Sequence, residues 1–314
     1  MTEPTPLPIP TSVSEKAQQF LAQAFRRSEA MPALDDVEGW LQRAKEGNEF
    51  ILERFAGVEL PVSAEETSIS GVPTFVLRAD GLATGEQTPI YLDIHGGGLT
   101  LGNGEACRRM TSAGAMTTGM IHWAVDYRMP PLHPYPASLD DCMAVYTHLL
   151  TERSPQDIFV GGASAGGNLA AALVARAKHE GLPLPAALVL LTPEVDLTES
   201  GDSFATNRLA DNVLGSLMPA NLLYANGNDL ADPFISPLFA DLAGFPPTFL
   251  QTGTRDLYLS NTVRMHRKLR AAGVEAELHV FEAMPHGGFG GAPEDIELRM
   301  EVRRFLDGHR RDAR

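Results

Sequence analysis

Seven short runs of apolar and β-branched residues recur between positions 74 and 280, and helical stretches separate them. A chain with this rhythm is constrained to a mostly parallel sheet with crossover helices. The runs are Thr74 to Leu77, Ile90 to Ile94, Ile121 to Val125, Ile158 to Val160, Ala187 to Leu191, Thr248 to Gln251 and Ala276 to Val280. Helices are expected at about 138–152, 165–180 and 260–272. The fold class is therefore α/β, a doubly wound sheet flanked by helices.

Two segments depart from the rhythm. Past a Pro-spaced start (Pro4, Pro6, Pro8, Pro10), helical patterns appear around Lys16 to Arg27 and over Val37, Trp40, Leu41, Ala44, Ile51 and Phe55, which share a helical face. Roughly Glu194 to Leu242 separates two strands by far more than an ordinary connection, and it contains helical pieces such as Asn212 to Tyr224. Long excursions of this kind tend to cover active sites. Residues 1–50 are expected to form a helical cap segment and 51–314 a catalytic domain, with a cap insertion at about 195–242.

Composition narrows the function. A net charge of −15 repels phosphate backbones, so nucleic acid is not an expected partner. The basic cluster Met265 to Arg270 reads as the polar face of a helix. Cys107 and Cys142 are too few for a disulfide framework and lack CxxC spacing, which suits a reducing compartment. No signal-peptide pattern opens the chain, and no apolar run approaches the ~20 residues of a membrane span. A cytoplasmic protein with no membrane partner is expected.

Gly161-Gly162-Ala163-Ser164-Ala165-Gly166-Gly167 contains GxSxG between an expected strand and an expected helix. A nucleophile elbow needs that context: the tight turn has no room for side chains beside the serine, and it pushes Oγ outward. The sequence could otherwise be a Gly-rich packing turn, and the phosphate-loop patterns GxGxxG and GxxxxGK[ST] are absent. His95-Gly96-Gly97-Gly98 follows another strand. Its glycines leave backbone N–H groups free to face an oxyanion, so Gly97 and Gly98, with the Ala165 N–H, are the candidate oxyanion hole. His95 itself is read as structural.

A serine nucleophile needs a base and an orienting acid later in the chain. Of nine histidines, His286 in Met284 to Phe289 lies past the late strand in a Gly-Gly loop, and Asp256 lies past the Thr248 strand. Asp256 could instead be an N-cap or a partner of Arg255, and Glu194 and Asp196 are lesser candidates for the acid. A metal site is not expected, since HExxH is absent and His122, His133 and His266 are isolated, in core, turn and surface positions respectively. No cofactor is required.

Together these blocks resemble the hormone-sensitive-lipase-like (bacterial family IV) esterases of the α/β-hydrolase superfamily. The HGGG at 95–98, SAGG at 164–167, Tyr127-Arg128-Met129-Pro130-Pro131-Leu132-His133-Pro134-Tyr135-Pro136-Ala137, Asp232 to Leu238 and the His286 loop occur in the family's order over about 65–305. The resemblance implies Ser164, Asp256 and His286 as the triad, Gly97, Gly98 and Ala165 as oxyanion donors, a helical cap and short acyl esters. A homodimer through the edge strand or last helix is a family-based expectation. The chain departs from the pattern at Ala163, where the family usually has an acidic residue, at Leu132, where it has Glu, and in the loop Asp256-Leu257-Tyr258, which lacks the usual Pro. The stretch from Gly253 to Phe289 is also similar to lactone-opening members such as monoterpene ε-lactone hydrolases.

The expected function is hydrolysis of a small ester or lactone through an acyl-enzyme, with activity declining below about pH 6 to 7 as the base protonates. The rivals are an amidase or peptidase on the same apparatus and a non-catalytic binding protein resembling the gibberellin receptors, which have lost the histidine. Ser164 itself disfavours hydrolases with an aspartate nucleophile.

Overall fold

A computed structural model describes residues 7–23, 31–82, 85 and 88–310. In chain order the elements are α1 (Glu15–Leu21), α2 (Val37–Arg54), β1 (Val62–Ile69), β2 (Val72–Ala79), β3 (Ile90–Ile94), α3 (Glu105–Thr118), β4 (Ile121–Val125), α4 (Ala137–Glu152), β5 (Ile158–Ala163), α5 (Ala165–His179) and β6 (Ala187–Leu191). The chain continues with α6 (Ser203–Thr206), α7 (Met218–Ala225), β7 (Thr248–Gly253), α8 (Leu259–Ala271), β8 (Ala276–Phe281) and α9 (Pro293–Gly308).

The strands form one sheet in the order β1-β2-β4-β3-β5-β6-β7-β8. β2 pairs antiparallel with both β1 and β4, and every pairing from β4 to β8 is parallel. Parallel strands covered on both faces must be apolar on both, and these are. Ile90, Leu92, Ile94, Val160, Leu188, Leu190 and Leu250 share a buried cluster with Leu139, Tyr146, Leu169 and Leu173 of α4 and α5. The alternate residues Tyr91, Phe159, Val189 and Phe249 pack with Val302, Phe305 and Leu306 of α9 on the opposite face. At about 1.5–3 kcal/mol per fully buried side chain of this size, the two layers supply the main driving force for folding.

All seven expected strands and the three expected crossover helices are present. The sequence reading omitted β1, α3 and α9. β1 is an edge strand whose residues are mostly exposed, so no apolar alternation marks it. α3 is rich in residues of modest helix propensity, and Thr111, Ser112 and Thr117 turn their hydroxyls back to carbonyls one turn earlier. The expected helix at Lys16 to Arg27 is α1, which ends at Leu21; positions 24–27 lie outside the described residues. The piece expected at Asn212 to Tyr224 becomes helical only at Met218.

In α2, Trp40 is buried while Val37 and Leu41 are exposed. Ile51 in its last turn and Phe55 just past its end border a cavity. The helix crosses the boundary expected at residue 50. α1 is tied to α9, where the Ser14 N–H and hydroxyl donate to the Glu294 carboxylate at 2.7 and 2.8 Å. Cys107 and Cys142 are buried free thiols. Among the described residues no helix is long and apolar enough to cross a membrane.

Candidate active site

The C-terminal ends of β3, β5, β7 and β8 deliver their loops to one place. Ser164 sits alone between β5 and α5, with φ 57° and ψ −122°, a conformation that costs a non-glycine residue about 1–3 kcal/mol. The glycines two positions either side make the turn possible. A Cβ on Gly166 would lie 1.9 Å from the Ile94 carbonyl oxygen, and one on Gly162 would lie 2.4 Å from the Gly166 backbone.

His286 joins the serine to the acid. Its Nε2 is 2.9 Å from Ser164 Oγ and its Nδ1 is 3.1 Å from Asp256 Oδ1. Asp256 is fully buried; Oδ1 also accepts the Tyr258 N–H at 2.9 Å and Oδ2 accepts the Thr252 hydroxyl at 2.7 Å. The Asp256 loop is further tied to the excursion after β6, because Asn207 Nδ2 donates to the Thr254 and Asp256 carbonyls at 3.1 and 2.9 Å. The Tyr258 ring meets the His286 ring edge-on at 4.9 Å. These contacts favour the Nδ1–H tautomer, with a lone pair on Nε2 facing the serine hydroxyl.

Burial opposes a charge on His286, but the hydrogen bond and charge of Asp256, reinforced by Asp211 and Glu194, outweigh it and raise the pKa above 6.5. If His286 is the base, it works when neutral, and a raised pKa moves loss of activity to higher pH than an ordinary histidine would give. The acid limb of kcat/KM is therefore expected above pH 6.5. A pH–rate profile checks this, and activity undiminished down to pH 5 would remove His286 from the role.

The loop after β3 lies against the serine. Gly97 has φ +130°, and a Cβ there would come within 1.9 Å of the Leu101 carbonyl oxygen. The Gly97 carbonyl accepts the N–H groups of Thr100 and Leu101, both at 3.1 Å, which closes the loop into a tight turn at the cavity edge. Ala165 is the first residue of α5, where a backbone N–H has no acceptor within the helix. His95 stays out of this constellation: it stacks on Tyr127 at 4.1 Å, its Nδ1 is 2.7 Å from the Gly96 carbonyl oxygen, and burial lowers its pKa to about 4. Tyr127 donates to the His95 carbonyl at 2.8 Å, supporting the loop from behind. Among the described residues, His95, Cys107 and Asp126 bring an imidazole, a thiol and a carboxyl within 4.8 Å of one another. In this structure Asp126 accepts the Gly104 N–H at 3.0 Å and the Cys107 thiol points to the Val125 carbonyl, so these groups also brace the loop.

A cavity of about 490 Å³ opens beside Ser164, with Gly96, Gly97, Gly98 and His286 on one side and Ile51, Phe55, Val213, Leu214 and Leu217 on the other. Both α2 and the excursion thus wall the same space. Of the lesser acid candidates, Asp196 is engaged by Arg264, Thr198 and Ser200. Glu194 is buried without touching the His286 imidazole, and burial pushes its pKa up to about 7. Leu132 is exposed and away from the cavity, whereas Ala163 borders it. Thr252 and Asn207 lie in no motif of the sequence, and Tyr127 and Tyr258, though they fall in the quoted blocks, were given no part in the site.

The chain matches the family model for the α/β-hydrolase fold over residues 91–289. It belongs to that family, among the hormone-sensitive-lipase-like esterases. An esterase of Acinetobacter venetianus is 34% identical over 64% of this chain and 68% of its own length. The carboxylic ester hydrolase LipN of Mycobacterium tuberculosis is 31% identical over 82% of this chain and 74% of its own. Among solved structures, the esterase E25 superposes with a TM-score of 0.88 at 36% identity, covering 99% of each chain. An esterase of the bacterial hormone-sensitive lipase family superposes with a TM-score of 0.79 at 31% identity, covering 90% of this chain and 99% of its own. This family member is a carboxylesterase-type hydrolase.

Proposed function

We propose that this hydrolase cleaves short-chain acyl esters, and lactones of similar size, through a Ser164–His286–Asp256 triad and an acyl-enzyme. The observation that carries the reading is the unbroken relay from Ser164 Oγ to His286 at 2.9 Å and on to Asp256 at 3.1 Å, at the edge of an apolar cavity. In this mechanism His286 Nε2 takes the serine proton as Oγ bonds to the carbonyl carbon, and Asp256 stabilises the imidazolium. The N–H groups of Gly97, Gly98 and Ala165 donate to the oxyanion. The alcohol leaves with the proton from His286; in a lactone it stays tethered to the acyl group. Water, deprotonated by the same histidine, then attacks the acyl carbon and restores Ser164.

We take α2 and the excursion between β6 and β7 as the cap, since both border the cavity. Methylenes that enter it each contribute up to about 0.8 kcal/mol, and those beyond its 490 Å³ gain little. Across p-nitrophenyl esters from acetate to dodecanoate, kcat/KM is expected to peak at short chains and to fall at least ~10-fold by dodecanoate, about 1.4 kcal/mol of lost transition-state binding. A rising series would reject the short-acyl reading.

A further inference from the structure

A second buried aspartate stands beside the relay with no part in the proposed chemistry. We propose that Asp211 is a positioning residue whose carboxylate holds the His286 loop, the Asp256 loop and the pocket wall at Val213 and Leu214 in one register. The inference rests on the hydrolase reading of Ser164 and His286.

Asp211 is 3% exposed. Its Oδ1 accepts the N–H groups of Val213 and Leu214 at 2.9 and 3.0 Å, and its Oδ2 accepts those of Leu257 and His286 at 2.8 and 3.2 Å. Four backbone donors from three separate segments fill the lone-pair sites of one carboxylate. Each segment matters to the site. Val213 and Leu214 wall the cavity beside Ser164, Leu257 directly follows Asp256, and the fourth donor is the backbone of the candidate base. The acid loop lacks the proline usual in the family, and proline at 257 would have no N–H to give.

An amide could not replace this group. Asparagine would keep one oxygen and turn an NH₂ toward two N–H donors, leaving buried donors unpaired. The charge matters as well as the geometry. The ionisable and polar groups around His286 are Asp256 from the loop after β7, Asp211 from the excursion, Glu194 past β6, Tyr258 and Ser164. Removing the Asp211 charge makes His286 easier to deprotonate, while loosening the register misplaces the imidazole and the pocket wall together.

The test compares wild type, Asp211→Asn, Asp211→Glu and Ser164→Ala on p-nitrophenyl acetate and hexanoate across pH. Asp211→Asn is expected to lower kcat roughly 10- to 100-fold, as a misplaced catalytic group does. It should also move the acid limb to lower pH and raise KM for hexanoate more than for acetate. Asp211→Glu, which keeps the charge but displaces it, should lower kcat and leave the acid limb in place. An Asp211→Asn enzyme with an unmoved limb and an unchanged acetate-to-hexanoate ratio overturns the proposal, even if it melts earlier. If that variant does not fold, an Asp211→Glu enzyme with wild-type kcat overturns it. Turnover within ~10-fold of wild type in Ser164→Ala would remove Ser164 as the nucleophile and this inference with it; with Ser164→Ala inactive, the other outcomes bear on Asp211 alone.

Discussion

Ser164→Ala is expected to lower kcat for p-nitrophenyl acetate by about 10⁵-fold, to the level that transition-state binding alone supports. The change removes Oγ, the atom 2.9 Å from His286 Nε2, and little else. The serine's carbonyl still accepts the Asn168 and Glu194 N–H groups, and its own N–H still donates to Leu191. The elbow is held by the glycines around it, and alanine tolerates the same backbone no worse than serine. The variant should therefore fold and melt within a few degrees of wild type while ceasing to turn over. Residual activity within ~10-fold of wild type would place the nucleophile elsewhere.

Asp256→Asn is the next largest expected effect, a loss of about 10³- to 10⁴-fold in kcat with little change in stability. The Thr252 hydroxyl facing Oδ2 can rotate to accept from an amide NH₂, so asparagine can keep its carbonyl oxygen toward the Tyr258 N–H and His286. Geometry would survive and the negative charge would not. The imidazolium formed during attack then loses its main stabilising partner. The same loss lowers the His286 pKa, so the acid limb should move down even as the rate collapses. Steady-state kinetics across pH together with a thermal melt separate the two effects. A loss under ~10-fold would remove Asp256 from the acid role.

The central strands were legible because parallel strands buried on both faces become unbroken apolar runs, as in Ala187 to Leu191. β1 was not, since an edge strand needs no apolar face and its Glu65 and Glu66 are exposed. Within the site, Ser164, Gly97 and Gly98 announced themselves through backbone demands that only particular residues meet, and these demands are local in sequence. His286 and Asp256 followed from chain order and from their places beyond late strands. The three acid candidates look alike in sequence and differ only in their tertiary contacts: Asp196 is occupied by Arg264, and Asp256, not Glu194, reaches the imidazole.

What the sequence determined by itself is the sheet and the glycine-rich turns at Ser164 and after β3, because hydrophobic period and glycine placement act over a few residues. Only the tertiary structure decided which carboxylates surround His286, how α2 and the excursion wall the cavity, and that Asp211 bonds to a backbone N–H 75 positions away. Those relations depend on where long loops return across the sheet, and a buried carboxylate that accepts backbone N–H groups leaves no pattern in the residues that donate them, since almost every residue carries the same N–H.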